Sequence, residues 1–293
     1  MNSIILTENN IEPFTNNSKL RYTFRGEAEF KNSSIALSSI HIYYSWFNIN
    51  SSKYNNNTFA YMWFDLSGNL TVRHEVYIPD GFYSVKTLNE YFQSIMRKNG
   101  HYLLDNSTGK YGYFLELTTN STYYAIELNI YAMMTSASAS TNYTKGSATW
   151  DFPGVPTTPQ IIIGSSNFKT LIGFNEGSYP LITMNNIEIL LGNTEVFLSS
   201  YAPRMNPVSS IFVKCSLCYN KYSDPDNVLH CFTSGDVEFG GMISIQPPTQ
   251  TFVKIRDQST YDFTIEFLDQ DLKQIDIKDP QMTIVLSLLQ DST

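Results

Sequence analysis

Cys215-x-x-Cys218, followed by His230-Cys231, is the sharpest cluster of chemically able side chains in the sequence. Three thiolates and an imidazole are a sufficient donor set for tetrahedral zinc. The spacing argues against that use. VKCSLCYNKY and NVLHCFT both read as strands, and neighbours on a strand, here His230 and Cys231, point to opposite faces. The three cysteines are read instead as small packing residues. An odd number of them, without a secretion signal, implies reduced thiols. His41, His74 and His101 are the other histidines, and none forms an H-x-H pair, so a metal-dependent cupin site is not expected. The carboxylates of DFTIEFLDQDLKQIDIKD (262–279) could supply an acid–base pair. They read more simply as a hairpin with a charged turn from Asp269 to Lys273 and a second turn at Asp279-Pro280. No G-x-S-x-G, P-loop or G-x-G-x-x-G sequence occurs. The expectation is a chain without catalytic, cofactor or metal residues, not an enzyme.

The segments that would have to position any site are almost all strand-like. LRYTFRGEAEF (20–30), SIALSSIHIYYSWFNI (34–49), TFAYMWFDL (58–66) and NLTVRHEVYI (69–78) alternate in polarity or are rich in β-branched and aromatic residues. YGYFLELTTN (111–120) and TYYAIELNIYAMM (122–134) read as a hairpin. Strands follow at 187–193, 208–218, 227–233, 241–248, 251–257, 259–270 and 281–289. Turn residues recur between them, and there is no βαβ alternation or fixed repeat. One amphipathic helix stands out. In IPDGFYSVKTLNEYFQSIM (78–96), Leu88, Tyr91, Phe92, Ile95 and Met96 fall on one stripe. Thr87 with Glu90 fits a capping box, with Ser84 as a rival N-cap. Arg97, Lys98 and Gly100 suit the C-terminus. The helix is expected to cover a sheet edge or the end of a sandwich. Ser166 is expected to cap a short helical turn carrying Phe168, Leu171 and Ile172.

The fold expected is all-β: an antiparallel jelly-roll sandwich with one amphipathic helix in an inter-strand loop and long loop insertions. Residues 1–19 are polar and Asn-rich, with Ile11 and Phe14 as apolar anchors, and read as an N-terminal arm. Residues 20–293 read as the jelly-roll domain, with a loop-rich insertion at about 135–200. The low-complexity loop 136–159 carries Trp150 and Phe152. Ile11, Phe14, Trp150 and Phe152 are the candidate subunit-interface residues.

Composition narrows the function classes. Of 293 residues, 42% are hydrophobic and only 16% charged, with 20 Tyr and 19 Phe, enough apolar mass for a packed core and too much for disorder. The formal net charge is −8, and the 19 basic residues are scattered, so direct nucleic-acid binding is not expected. No run approaches the roughly 20 apolar residues of a membrane span. MNSIILTENNIEPFTNN lacks the n- and h-regions of a signal peptide. The sequons at Asn32, Asn69, Asn106 and Asn120 therefore read as chance matches. The aromatic residues invite a carbohydrate-binding reading, but most lie in strand-like runs, where packing is the default.

The ordered elements carry a resemblance. A strand, then Pro79-Asp80-Gly81 with Tyr83-Ser84, an Leu88-Asn89 aromatic helix and a Y-F-L-E-L hairpin (113–117) resemble the penton, or minor capsid, proteins of virophages and polinton-like viruses. The likeness continues in FKTLIGFNEGSYP (168–180), CSLCYNKYSDPDNVLHCF (215–232) and GMISIQPP. It ends in a pattern made by Asp269-Gln270, Ile275, Ile277, Asp279-Pro280, Ile284 and Leu286. It spans most of residues 70–290, and the order of the motifs carries it. The resemblance implies a single jelly-roll capsomer that closes as a homopentamer at the vertices of an icosahedral virion, assembled in the infected host cell beside a major capsid protein. It implies no cofactor and no active site. A double jelly-roll facet protein would need a longer chain with two similar halves, and no internal duplication is seen. The alternative is a viral spike or lectin-like jelly-roll binding module.

Overall fold

The computed structural model describes residues 2–135, 142–181 and 194–290. The strand expected at 187–193 and the loop residues 136–141 lie outside the described residues. The chain divides into two compact units: residues 1–46 with 206–293, and residues 47–205. In sequence the second unit is thus inserted into the first, over a longer span than the 135–200 insertion expected.

Unit 1 is built on two antiparallel sheets. One has the order β1 (Asn2–Thr7), β19 (Met282–Gln290), β3 (Ser33–Tyr43), β16 (Met242–Ile245), with β17 (Val253–Lys254) also paired to β3. The other has the order β15 (Val228–Phe232), β14 (Ile211–Cys215), β18 (Gln258–Leu268), β2 (Lys19–Phe30). Setting β17 aside, the strands in chain order run first–eighth–third–sixth in one sheet and second–seventh–fourth–fifth in the other. This is the double-sheet jelly-roll arrangement. Alternation explains the sandwich: Ile4, Leu6, Ile40, Ile42, Ile284 and Leu286 are buried from one sheet, and Val213, Phe263, Ile265 and Phe267 from the other. Within residues 1–19, expected as an arm, Asn2–Thr7 is strand β1, in register with β19 from Asn2↔Leu288 to Thr7↔Thr283. Its Ile4 and Leu6 alternate inward, and so short an apolar run resembles a tail more than a strand.

Unit 2 has three small antiparallel sheets. The first is ordered β12 (Gly177–Tyr179), β11 (Gln160–Ile163), β4 (Thr58–Phe64), β5 (Leu70–Tyr77). The second is β13 (Thr194–Leu198), β9 (Ala125–Tyr131), β8 (Leu115–Asn120). The third is β10 (Tyr143–Lys145), β6 (Leu103–Asp105), β7 (Tyr111–Gly112). Helices α1 (Val85–Lys98) and α2 (Phe168–Ile172) complete it. The core gathers Phe59, Tyr61 and Trp63 from β4 around Leu88, Phe92 and Met96 of α1.

Two local expectations are corrected. The N-cap of α1 is Ser84, not Thr87: the Ser84 hydroxyl accepts from the Thr87 amide, and the Thr87 hydroxyl accepts from the Ser84 amide, so Thr87 fills the third helical position. Asn167, not Ser166, precedes α2, and Ser166 Oγ donates to the Thr58 carbonyl instead. The expected role of α1 is seen directly. Asn89 Oδ1 accepts from the amide of Leu117 on edge strand β8 at 2.9 Å, and Gln93 donates to Glu116 at 3.0 Å. The helix thus satisfies backbone that an open edge would leave bare.

Candidate functional site

The four interface candidates fall in both units. In unit 1, Ile11 is half-buried and bridges to Leu20. Phe14 is fully exposed at the tip of the following turn, with a left-handed backbone at φ 63°. In unit 2, Trp150 is buried, and its indole N–H donates to the Gly100 carbonyl at 2.8 Å. Gly100 supplies the left-handed turn after α1 (φ +72°), and a Cβ there would strike Ser147. Phe152 is half-buried against Trp150, ring centroids 5.4 Å apart, with Lys145 Nζ over both rings. Trp150 is thus used within its own core, and Phe14 is the residue of the four that solvent fully reaches.

Two of the thiols, Cys215 and Cys218, lie in side-chain contact, and the third stands apart from them. Cys215 and Cys218 are buried, joined by a turn in which the Cys218 amide donates to the Cys215 carbonyl at 3.0 Å, while Cys231 is exposed on β15. Among the described residues no group of three or more His, Cys, Asp or Glu could hold a metal ion.

The fold brings together two histidines that sequence spacing does not pair. His74, on β5, and His101, just after α1, stand with ring centroids 4.6 Å apart. His101 stacks on Trp63 at 4.6 Å, and its Nδ1 lies 2.8 Å from the Tyr61 hydroxyl. That hydroxyl also accepts from Asn99 Nδ2 at 2.8 Å, and one proton is shared between it and Nδ1. Burial, and secondarily the His74 charge, depress the His101 pKa to about 3. Burial raises the Tyr61 hydroxyl to about 12. The group is a neutral, hydrogen-bonded packing cluster. His101 is only 3% exposed, which leaves no approach for a substrate. Period-two alternation on β5 points His74 inward; nothing in the sequence pairs it with a residue 27 positions on.

The outer face of the β4–β5–β11 sheet holds a shallow hollow of about 300 Å³. Ala60 and Ile162 floor it, and Arg73, Glu75, Ser165 and Ser166 edge it. Arg73 Nε donates to Glu75 Oε1 at 2.6 Å, and both side chains are about half exposed. Polar forks over a small apolar floor are a surface on which a hydroxyl-rich ligand could rest.

The outer faces of the two unit 1 sheets differ in charge. On the β2–β18–β14 side Lys19 bridges Glu12 and Glu266, and Arg21 bridges Glu12 and Asp262. On the other side, strands β1, β3, β16 and β19 contain no Asp, Glu, Lys or Arg at any position, and the short β17 at the end of β3 carries one, Lys254.

No protein-family model matches the chain, and no curated protein sequence matches it. Among solved structures, the chain is similar to the mavirus penton protein in its crystal structure, with 12% identity over 99% of each chain and a TM-score of 0.41. It is also similar to a chain of the Sputnik virophage structure determined by cryo-EM, with 11% identity over 99% of this chain and 98% of that one and a TM-score of 0.39.

Proposed function

We propose that the chain is a structural capsid protein that forms the pentameric vertex capsomer of an icosahedral virion, and that it is not an enzyme. The observation that carries this reading is the eight-strand jelly roll of unit 1, an architecture used by viral capsid domains. A fold alone hosts several functions, so the choice among them rests on the side chains. The ordered sequence motifs of residues 70–290 resemble penton proteins. The buried polar clusters are closed, as in a packing device. The proposed partners are further copies of the chain and a major capsid protein, and the proposed location is the virion. Phe14, with Ile11 behind it, is proposed to reach a neighbouring subunit, and the accessible side of Phe152, lying over Trp150, is proposed as a second contact.

The hollow edged by Arg73 and Glu75 in unit 2 favours a second reading, a lectin-like binding module. Light scattering of the purified chain after size exclusion separates the two. A closed pentamer is the expected result. A stable trimer overturns the vertex assignment, and a monomer that binds glycans supports the second reading.

A further inference from the structure

The two sheets of unit 1 are unlike in a way that the jelly-roll topology does not require. A half-exposed sheet in an acidic chain ordinarily turns Lys, Glu, Arg and Asp outward. The β2–β18–β14–β15 sheet does so. The β1–β19–β3–β16 part of the other sheet instead turns out Ile5, Thr283, Val285, Ser39, Ser244 and Met242, with Ile5 57% and Met242 49% exposed, and the charge of that sheet is confined to Lys254 of β17, beside Ser34 at the far end of β3. The inward residues of the same strands account for the core, so packing does not explain the missing charge. His41, on this face, is hydrogen-bonded to Ser244 at 3.0 Å.

We infer that this uncharged outer face is where a second copy of the chain docks within the capsomer. Two observations select that occupant. First, the formal net charge is −8, so copies of the chain repel one another, and they approach at least cost where neither sign of charge is displayed. A strongly basic or acidic partner would gain nothing from such a face. Second, the size is sufficient. Strands β1, β19, β3 and β16, of 6, 9, 11 and 4 residues, lie about 4.8 Å apart with a rise of about 3.3 Å per residue and cover about 480 Å². Burying that on each copy removes about 1,000 Å², the lower bound for a specific interface. Interfaces are depleted of Lys, Glu and Asp at their centre, as this face is. In a closed ring the contact is heterologous, so the face meets a different surface of its neighbour.

The inference rests on the capsomer reading and names its contact surface. The test compares the wild-type chain with Ile5→Glu, with Ser244→Glu and with the control Thr264→Glu, which stands opposite Arg21 on the charged sheet. Mass is followed by sedimentation over a concentration series, and near-UV circular dichroism checks the fold. Ser244 is an exposed serine, so that variant keeps the test should Ile5→Glu fail to fold. The expected result is that either neutral-face glutamate raises the concentration at half-assembly about 100-fold or more, since it buries an unpaired charge, while Thr264→Glu assembles like wild type. If the folded Ser244→Glu and Ile5→Glu chains assemble like wild type, the face is not the contact and the capsomer reading stands. If the wild-type chain itself stays monomeric up to millimolar concentration, both fail.

Discussion

His101 shows how a single buried residue writes a pH dependence into the chain. In the folded state its imidazole stays neutral down to about pH 3 because it is buried beside His74. Unfolded, it titrates at its ordinary value of about 6.5. The unfolded chain therefore binds the extra proton first as the pH falls. The stability owed to the neutral imidazole is fully present above about pH 6.5 and is lost progressively between 6.5 and 3, at about 1.4 kcal/mol per pH unit. His74, whose pKa burial also lowers, adds in the same direction. Between pH 7 and pH 5 the expected loss from His101 is about 2 kcal/mol. Chemical denaturation followed by tryptophan fluorescence, which Trp63 and Trp150 report from the same core, measures it. In His101→Gln the slope with pH should fall by about the His101 share, although the variant is less stable at pH 7. An unchanged slope would mean that the imidazole is not held neutral by this cluster. None of this is visible in the sequence, because the partners of His101 come from β4, β5 and the end of α1, and only the fold makes them neighbours.

At the scale of elements, what was legible followed a local rule. The apolar stripe of α1 and the alternation of β18 and β19 are read directly from spacing, since burial on one face imposes a period. The jelly-roll class was legible from the same alternation and from the turn residues between strands. The capping of α1 was half legible, since Thr87 and Ser84 both satisfy the composition rule. Ser84 wins because its extended backbone, φ −76° and ψ 166°, lies outside the helix. What was not legible depends on partners far along the chain. Asn2–Thr7 becomes a strand only because β19, some 280 positions later, offers it an edge. Asn48 likewise looks like any loop asparagine. In the structure it is 1% exposed and donates to the carbonyls of both Tyr83 and Met205, at 2.7 and 2.8 Å. Two substitutions test α1 as a brace. Ser84→Ala removes the cap and should cost about 1 kcal/mol. Phe92→Ala empties a fully buried site among Phe59, Tyr61 and Leu88 and should cost about 3–5 kcal/mol. Urea denaturation separates them: equal, small effects would show that α1 caps the edge of β8 without anchoring the core.

At the scale of the whole molecule, the two chain crossings between the units constrain what each unit needs. Asn48 holds the carbonyl of Met205 at 2.8 Å, so both ends of unit 2 lie side by side. Topologically, then, the 159-residue segment 47–205 takes the place of a short loop between β3 and β14, and all eight jelly-roll strands come from outside it. Joining Trp46 to Asn206 through a few Gly and Ser residues keeps every strand of both sheets and every register within them. The loop-closure cost of so short a linker is small compared with that of the segment it replaces. The shortened chain is expected to melt in one cooperative transition with intact near-UV circular dichroism. It is also expected to keep the uncharged face of β1, β19, β3 and β16, so it should still self-associate in the Ile5-dependent way argued for the full chain. Loss of the near-UV signal with far-UV signal retained would show that the jelly roll draws part of its packing from the inserted unit. A folded but monomeric product would show that unit 2 supplies a surface the ring contact needs.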